Sequence, residues 1–337
     1  MAVRIVTDSG SDILPDEYEN LRILPLSVNF GATTYLDGVD LTHGRFYELM
    51  VEEDELPKTG QVNPFAFGQV FEEAAAAGDD VVCITLSSKL SGTYQSALTA
   101  ASEVNEGFGA NGAPGLNDTP DAYAVDDASD ANGSNNANEA PNANDASGAK
   151  SVNNAKGTVH VVDSMSVCVG ERVLVEYALR LADEGRSAAQ IAAELLHARE
   201  RTVVVGLLDT LEYLRRGGRI SGAAAGVGQL LSIKPVISIQ DGEVVLLGKA
   251  RGSKNGRNLL NEQVTAAGGI DFAMPLALGY AGLSDKLLMK YIDDSREIWE
   301  PGFADGKLPI HTVGATIGTH VGPGAIALAF FEQDDNK

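Results

Sequence analysis

The chain has 337 residues, 44% of them hydrophobic, with 25 Lys and Arg against 47 Asp and Glu, a net charge of −22. That length supports two domains with cores of their own. So acidic a balance excludes nucleic acid and anionic membrane surfaces as partners, since affinity for either rests on clustered basic side chains.

The amino terminus passes directly into a strand pattern, with no secretory signal ahead of it. No apolar run approaches the roughly 18 residues a membrane helix needs. The expectation is a cytoplasmic protein without a membrane span. The two cysteines, Cys83 and Cys168, stand far apart in apolar contexts. They read as buried small hydrophobes rather than a disulfide, and no metal-ligand spacing includes them.

In chain order, residues 3–6 form a first strand closed by the polar turn Thr7-Asp8-Ser9-Gly10-Ser11. Residues 23–30 read as a second strand, and 33–36 as a short extended piece closed by Asp37-Gly38. Thr42 caps a helix over about 44–51. A loop over 56–62 leads to Asn63-Pro64, a cap followed by proline at the first helical position, and that helix stops at Gly78. A buried strand at 81–86 follows. Strand, helix, strand in this order implies a parallel sheet with helices on its faces.

Between about 105 and 157 the composition turns to Asn, Ala, Asp and Gly with no hydrophobic period. Such a segment cannot bury enough apolar area to offset its ordering entropy, so it reads as a disordered insertion. Closure entropy grows only logarithmically with length, which makes it tolerable. It holds eight acids and two bases, −6 of the total −22, so −16 stays on the rest.

The fold resumes with a strand at 158–163 and a helix over about 167–184. Ser187 and Gln190 have capping-box spacing for the next helix, to about 201. Then come a strand at 202–208, a short helix capped by Asp209, the turn Gly217-Gly218-Arg219, and a small-residue helix at 223–231. Residues 235–239 and 243–247 form a hairpin across Gln240-Asp241-Gly242. A helix at 254–267, a strand at 273–280, a helix at 285–299 and strands at 310–315 and 326–331 complete the chain. The expected architecture is α/β in two domains. Residues 1–200 carry a parallel sheet with flanking helices, and 201–337 a mixed sheet.

The most chemically suggestive stretch is 81–104. Its apolar strand ends in Ser87, Ser88, Ser91, Gly92 and Thr93, and an Ala-rich helix starts near Thr93 or Tyr94. A buried strand, a hydroxyl-rich turn and a helix amino terminus make an anion site, because first-turn N–H groups and the helix dipole favour negative charge. Lys89 adds the one full charge, which suits a carboxylate better than a triphosphate. The plainer reading has Ser91 capping the helix and the other hydroxyls satisfying loop amides.

Other constellations also carry two readings. Gly217-Gly218-Arg219 is a guanidinium on a glycine turn, ready for a carboxylate or phosphoryl group, or a left-handed helix stop with a surface arginine. Thr59-Gly60-Gln61 places a second hydroxyl beside the first loop, or is merely a turn. His320, in a Gly- and Pro-bounded turn, is a ligand contact or a structural histidine. Residues 222–228 fit neither the dinucleotide nor the Walker spacing, against an ATP-using enzyme. A serine hydrolase or acyltransferase would use Ser91 as nucleophile and His320 as base. No Gly-x-Ser-x-Gly elbow is present, and no evident acid orients the histidine.

Taken together, the chain resembles the DegV family of bacterial fatty-acid-binding proteins over nearly its whole length outside the insertion. The resemblance rests on Thr7-Asp8-Ser9, Leu90-Ser-Gly-Thr-Tyr94, Val162-Asp-Ser164, Leu211-Glu-Tyr-Leu-Arg-Arg-Gly-Gly-Arg-Ile220 and His320-Val-Gly-Pro-Gly324. It implies a two-domain α/β protein holding one long-chain fatty acid between its domains, with no cofactor and no metal. It also implies a role as the acyl-carrying subunit of a fatty acid kinase, without turnover alone. A separate kinase subunit supplies ATP and phosphorylates the carboxylate, and phospholipid-synthesis enzymes use the acyl-phosphate. Carried over by motif, Thr59 and Ser91 bind the carboxylate, with Gly92 and Thr93 beside them and Arg219 and His320 near the head group. Gly60 departs from the family's usual Thr-Ser-Gln.

Overall fold

A computed structural model describes residues 2–53, 55–107, 157–220, 233–304 and 306–333. The expected helix at 223–231 and the expected insertion, apart from its first three residues and its last, lie outside these residues. The amino-terminal half forms β1 (Val3–Asp8), β2 (Leu21–Leu24), β3 (Ser27–Phe30), β4 (Thr33–Leu36), α1 (His43–Glu52), β5 (Lys58–Gly60) and α2 (Pro64–Ala77). Then come β6 (Asp80–Thr85), α3 (Thr93–Gly107), β7 (Val159–Asp163), α4 (Val169–Asp183) and α5 (Ala188–Glu200). The carboxyl-terminal half forms β8 (Thr202–Leu207), α6 (Glu212–Arg216), β9 (Ile233–Gln240), β10 (Glu243–Arg251), α7 (Gly252–Ala266) and β11 (Ala277–Tyr280). It ends with α8 (Lys286–Asp294), α9 (Arg296–Trp299), β12 (Ile310–Thr312), α10 (Ala315–Val321) and β13 (Ile326–Phe331).

The expected parallel sheet is present, in the order β2-β1-β6-β7. β6 lies at its centre, and Val81, Val82, Cys83 and Ile84 are fully buried, as an apolar run covered on both faces requires. The expected mixed sheet has the order β10-β9-β8-β13-β11-β12, antiparallel except where β11 meets β12. Helix α4 packs between the two, touching β1 and β6 on one side and β8, β11 and β13 on the other. Three caps are formed by the expected residues. Thr42 accepts from Arg45 N–H, Asn63 accepts from Ala66 N–H, and Ser187 with Gln190 makes a full capping box.

A third sheet, β4-β3-β5, was not expected. The apparent strand at 23–30 breaks at Pro25, which has no N–H to give a ladder. β2 joins the parallel sheet while β3 pairs with β4 and β5. Burial alternates through the break, with Leu24, Leu26, Val28 and Phe30 all inside, so the sequence pattern looks like one strand. Thr59-Gly60 is likewise β5, not a loop.

Further along, the strand expected at 273–280 starts only at Ala277, and the helix expected at 285–299 divides at Ser295. The strand expected at 310–315 ends at Thr312, because Gly314 opens α10, so His320 stands in a helix rather than a turn. Asp209 does not cap α6. Thr210 Oγ1 accepts Glu212 N–H at 3.1 Å, and Asp209 pairs with Lys234 instead. The β9–β10 hairpin turns on Asp241 (φ 49°) and Gly242 (φ 78°), the conformation of a type I′ turn.

The chain leaves β1 outward to β2 and returns on the other side to β6, so the order reverses between β1 and β6. Crevices outside the carboxyl ends of parallel strands at such a reversal are where ligands bind. Here the buried Asp8 carboxylate spans the gap, accepting Gly10 N–H at 2.8 Å and Leu86 N–H at 3.0 Å.

At the start of the expected insertion, Asn105 belongs to α3, and its carboxamide pairs with both Val159 N–H and Val159 C=O at 3.1 Å. A deletion beginning at 105 would cut this tie between α3 and β7. We expect Asn105→Ala to lower unfolding free energy by about 1–2 kcal/mol, measured by urea denaturation.

Candidate functional site

At the β1/β6 reversal a cavity of about 420 Å³ opens between the parallel sheet's carboxyl edge and the inner face of the mixed sheet. That volume falls in the roughly 300–1,000 Å³ range of small-molecule sites. Its walls are amphipathic. Alternate residues of β8, Val204 and Gly206, and then Leu208 just past its end, line the apolar part with Ile237, Ile239 and Ala327. Thr59, Gln61, Ser91, Arg219 and His320 gather at the polar part.

Five of the six residues singled out from sequence (Thr59, Ser91, Gly92, Arg219 and His320) line this cavity. Thr93 does not. It is fully buried, and its hydroxyl bonds Ser91 Oγ at 2.9 Å and accepts Val62 N–H at 3.4 Å. Ser91 Oγ also accepts Thr93 N–H at 3.3 Å, so Ser91 performs the capping role of the plainer reading as well.

Hydrogen positions follow from burial. The Thr93 hydroxyl hydrogen needs an acceptor, and Ser91 Oγ is in reach. Ser91 therefore accepts twice from Thr93, and its own hydrogen is left to donate into the cavity. On the other wall, Thr59 Oγ1 lies 3.0 Å from His320 Nε2, while His320 Nδ1 is buried with no partner among the described residues. A proton on Nδ1 would be an unpaired buried donor, so the neutral ring carries it on Nε2 and donates to Thr59. Thr59 then also keeps its hydrogen for the cavity. Two hydroxyl donors converge, each fixed from behind.

His320 is neutral at pH 7, since burial first and the nearby Arg219 charge second push its pKa down to about 4. Its ring occupies the space that a side chain at Gly217 would need. Arg219 is held by two carbonyls, Nε donating to Leu90 at 3.2 Å and Nη1 to Gly217 at 2.7 Å. Gly218, at φ 69°, makes the left-handed stop. The glycines end α6 as a left-handed stop, and Arg219 is half-buried at the cavity wall rather than on the surface.

The arrangement does not supply a Ser–His couple. His320 Nε2 engages Thr59, its Nδ1 meets no carboxylate among the described residues, and a pKa near 4 makes it a weak base. Cys168 also lines the cavity, but burial and the neighbouring Asp12 hold its thiol well above the usual range. Among the described residues, no group of His, Cys, Asp or Glu is arranged to hold a metal ion, and no helix is long and apolar enough to cross a membrane.

Sequence reasoning missed the wall contributed by α10, where Thr316, Ile317 and Val321 join His320. It also left the departure at Gly60 open. A Cβ there would overlap Ser27 Oγ, the cross-strand partner on β3. A serine at 60 would thus meet Ser27, on the face of β5 opposite Thr59.

A largely apolar cavity with hydroxyls at one end, set between a parallel and a mixed sheet, has the geometry of a site for a small amphipathic molecule. The model of the family described as "Uncharacterised protein, DegV family" matches residues 2–333, and the chain belongs to that family. A DegV domain-containing protein of Halalkalibacterium halodurans is 31% identical over 336 residues, 98% of each chain. Among solved structures, a fatty-acid-binding DegV family protein from Thermus thermophilus has TM-score 0.73 and 28% identity. It covers 99% of this chain and 100% of its own. The Streptococcus pneumoniae fatty acid kinase (Fak) B3 protein loaded with linoleic acid has TM-score 0.74 and 21% identity, again covering 99% and 100%.

Two outcomes are expected. Gly60→Ser should lower stability by at most about 1 kcal/mol, because the overlap is with the terminal Oγ of Ser27, which can change rotamer, and adding Ser27→Gly should remove that cost, as read by thermal melts of both variants. His320 gives a pH effect of known sign. Its folded pKa of about 4 lies below the ordinary value of roughly 6.5, so the unfolded chain binds the proton first. Its contribution is complete above about pH 6.5 and is lost as pH falls toward 4. Asp8 and Asp12, raised to about 7 mainly by burial, act oppositely in that window, so only a difference isolates the histidine. His320→Gln should compare better with the parent at pH 4.5 than at pH 7 in urea titrations.

Proposed function

We propose that this chain binds a long-chain fatty acid, tail in the apolar cavity and carboxylate between Thr59 and Ser91, and presents that carboxylate to a separate kinase subunit. The observation that carries the reading is the convergence of two hydroxyl donors, fixed from behind, at the polar end of a largely apolar cavity. Burying the tail contributes about 0.8 kcal/mol per CH₂, on the order of 10 kcal/mol for a long chain before association costs. Each hydrogen bond to the charged head adds roughly 1.5–3 kcal/mol. The tail supplies affinity and the hydroxyls supply place.

Presentation fits the exposure of the loop at the polar end. Ser88, Lys89 and Gly92 face solvent, whereas Leu208, Ile237 and Ala325 along the tail are buried. A partner reaches the head group without unpacking the tail. Arg219 and His320 then stand beside the phosphoryl group of the product, an acyl-phosphate for phospholipid-synthesis enzymes. The nucleotide arrives with the kinase, so the chain needs no cofactor and has no turnover alone. The fatty acid bound by the Thermus protein and the kinase name of the Streptococcus neighbour support this division of labour.

Mass spectrometry of lipid extracted from the purified chain, with oleate uptake by calorimetry, is the direct test; an empty chain that takes up no oleate or palmitate overturns the reading. Ser91→Ala should weaken oleate binding about tenfold or more, and leave the corresponding fatty alcohol less affected. Labelling of Ser91 by a fluorophosphonate would favour the hydrolase instead.

A further inference from the structure

The end of α10 away from His320 is bound by carboxylates from the other half of the chain. Asp37 Oδ1 accepts Ala315 N–H at 3.1 Å and Asp37 Oδ2 accepts Thr316 N–H at 2.9 Å. Asp12 Oδ1 accepts Gly314 N–H at 2.8 Å, and Tyr47 donates its hydroxyl to Val313 C=O at 3.0 Å. Three successive amides at a helix start, which have no partner within the helix, are thus satisfied across the two halves. Asp37 is 2% exposed and is itself held by its N–H to Leu26 C=O at 3.0 Å.

The three-stranded sheet sets the spacing. Leu36 on β4 and Gly60 on β5 both pair with Ser27 on β3. Asp37 and Thr59 therefore flank one row of the sheet on opposite sides, two strand spacings across and two residues along, roughly 12 Å apart. Residues 315 to 320 of a helix span about 7.5 Å, and the imidazole covers the rest. Helix α10 is laid across this frame, tied by Asp37 at its start and by the His320–Thr59 bond at its end. Residues 316 and 320, and 317 and 321, lie one turn apart, and all four line the cavity.

We propose that Asp37 is a positioning residue: by anchoring the start of α10 to the amino-terminal sheet, it holds His320 against Thr59 and so directs the Thr59 hydroxyl into the cavity. The affinity part of this proposal rests on the fatty-acid reading, whereas the placement of the imidazole does not. Asp37→Asn keeps the size but turns an amide NH₂ against a backbone N–H, where the carboxylate had accepted two.

The test is proton NMR titration of the His320 ring in the full ligand-free chain, assigned by His320→Gln, together with oleate calorimetry. Asp37→Asn should free the ring from its buried seat, raising its titration midpoint from about 4 by about one pH unit or more, toward the ordinary imidazole value. Oleate affinity should fall about tenfold. Asn105→Ala, which loosens the distant α3–β7 junction, should move neither, so general destabilisation does not mimic the effect. If Asp37→Asn does not fold, Tyr47→Phe, which removes one hydroxyl from the same anchor, should shift the midpoint the same way by less. A folded Asp37→Asn, or failing it Tyr47→Phe, with the parent's midpoint overturns the proposal. A parent that takes up no oleate overturns the fatty-acid reading and the affinity part with it, while the ring's midpoint still decides the anchor.

Discussion

Buried carboxylates that accept backbone amides hold the cavity open in the right place. Asp8 ties the end of β1 to Leu86 beyond β6, and Asp12 and Asp37 tie α10 to the amino-terminal half. Apolar packing alone would bring two halves together wherever their surfaces matched best. A carboxylate that must find amide donors once desolvated accepts far fewer arrangements. Directional bonds at three points leave an unfilled volume between the halves that close packing would otherwise remove.

Such bonds cost stability under some conditions. Burial raises Asp8 and Asp12 to about 7, well above an ordinary aspartate, against the lowering effect of the amides they accept. The folded chain therefore binds protons at these sites that the unfolded chain has already released between roughly pH 4 and 7, and the sites contribute less as pH rises through that window. Carboxylates in a dry crevice are a poor choice for maximal stability at neutral pH. Their position at the strand-order reversal and at the helix carrying His320 accounts for them better than stability does.

How much of this was legible in the sequence depended on whether the signal was local. The buried run Val81–Leu86, the caps at Asn63 and Ser187 and the turn at Asp241-Gly242 are written in adjacent residues, and each stands where expected. Thr59, Ser91, Arg219 and His320 were singled out from their local motifs and given roles by resemblance, and they line one cavity. What failed depended on partners distant in sequence. Leu24 to Phe30 keeps one alternating pattern while its partner changes from β1 to β4 and β5, and no single-strand rule detects that. Ala315–Val321 is too short and too rich in Thr and Gly to show a helical period, and the carboxylates that satisfy its first amides lie 278 and more residues earlier. Thr93 and Ser91 are chemically alike. Only burial shows that one hydroxyl supports the other.

On the proposed fatty-acid reading, neutral hydroxyls at an anionic head group follow from the rest of the molecule. At a net charge of −22 the chain repels an approaching carboxylate, though screening limits this to about 8 Å at physiological salt. A lysine at the head-group position would counter that repulsion, but it would also hold the carboxylate as a tight pair and reduce its nucleophilicity toward a phosphoryl donor. Hydroxyls bind it more weakly and leave lone pairs free. Arg219 supplies positive charge while its Nε and one terminal nitrogen are already committed to the carbonyls of Leu90 and Gly217. It is therefore restrained from closing on a carboxylate as a bidentate clamp, and on the proposed reading its field is kept for the additional negative charge of a phosphorylated product. If affinity lies in the tail, as proposed, the head group is free to be oriented without being locked.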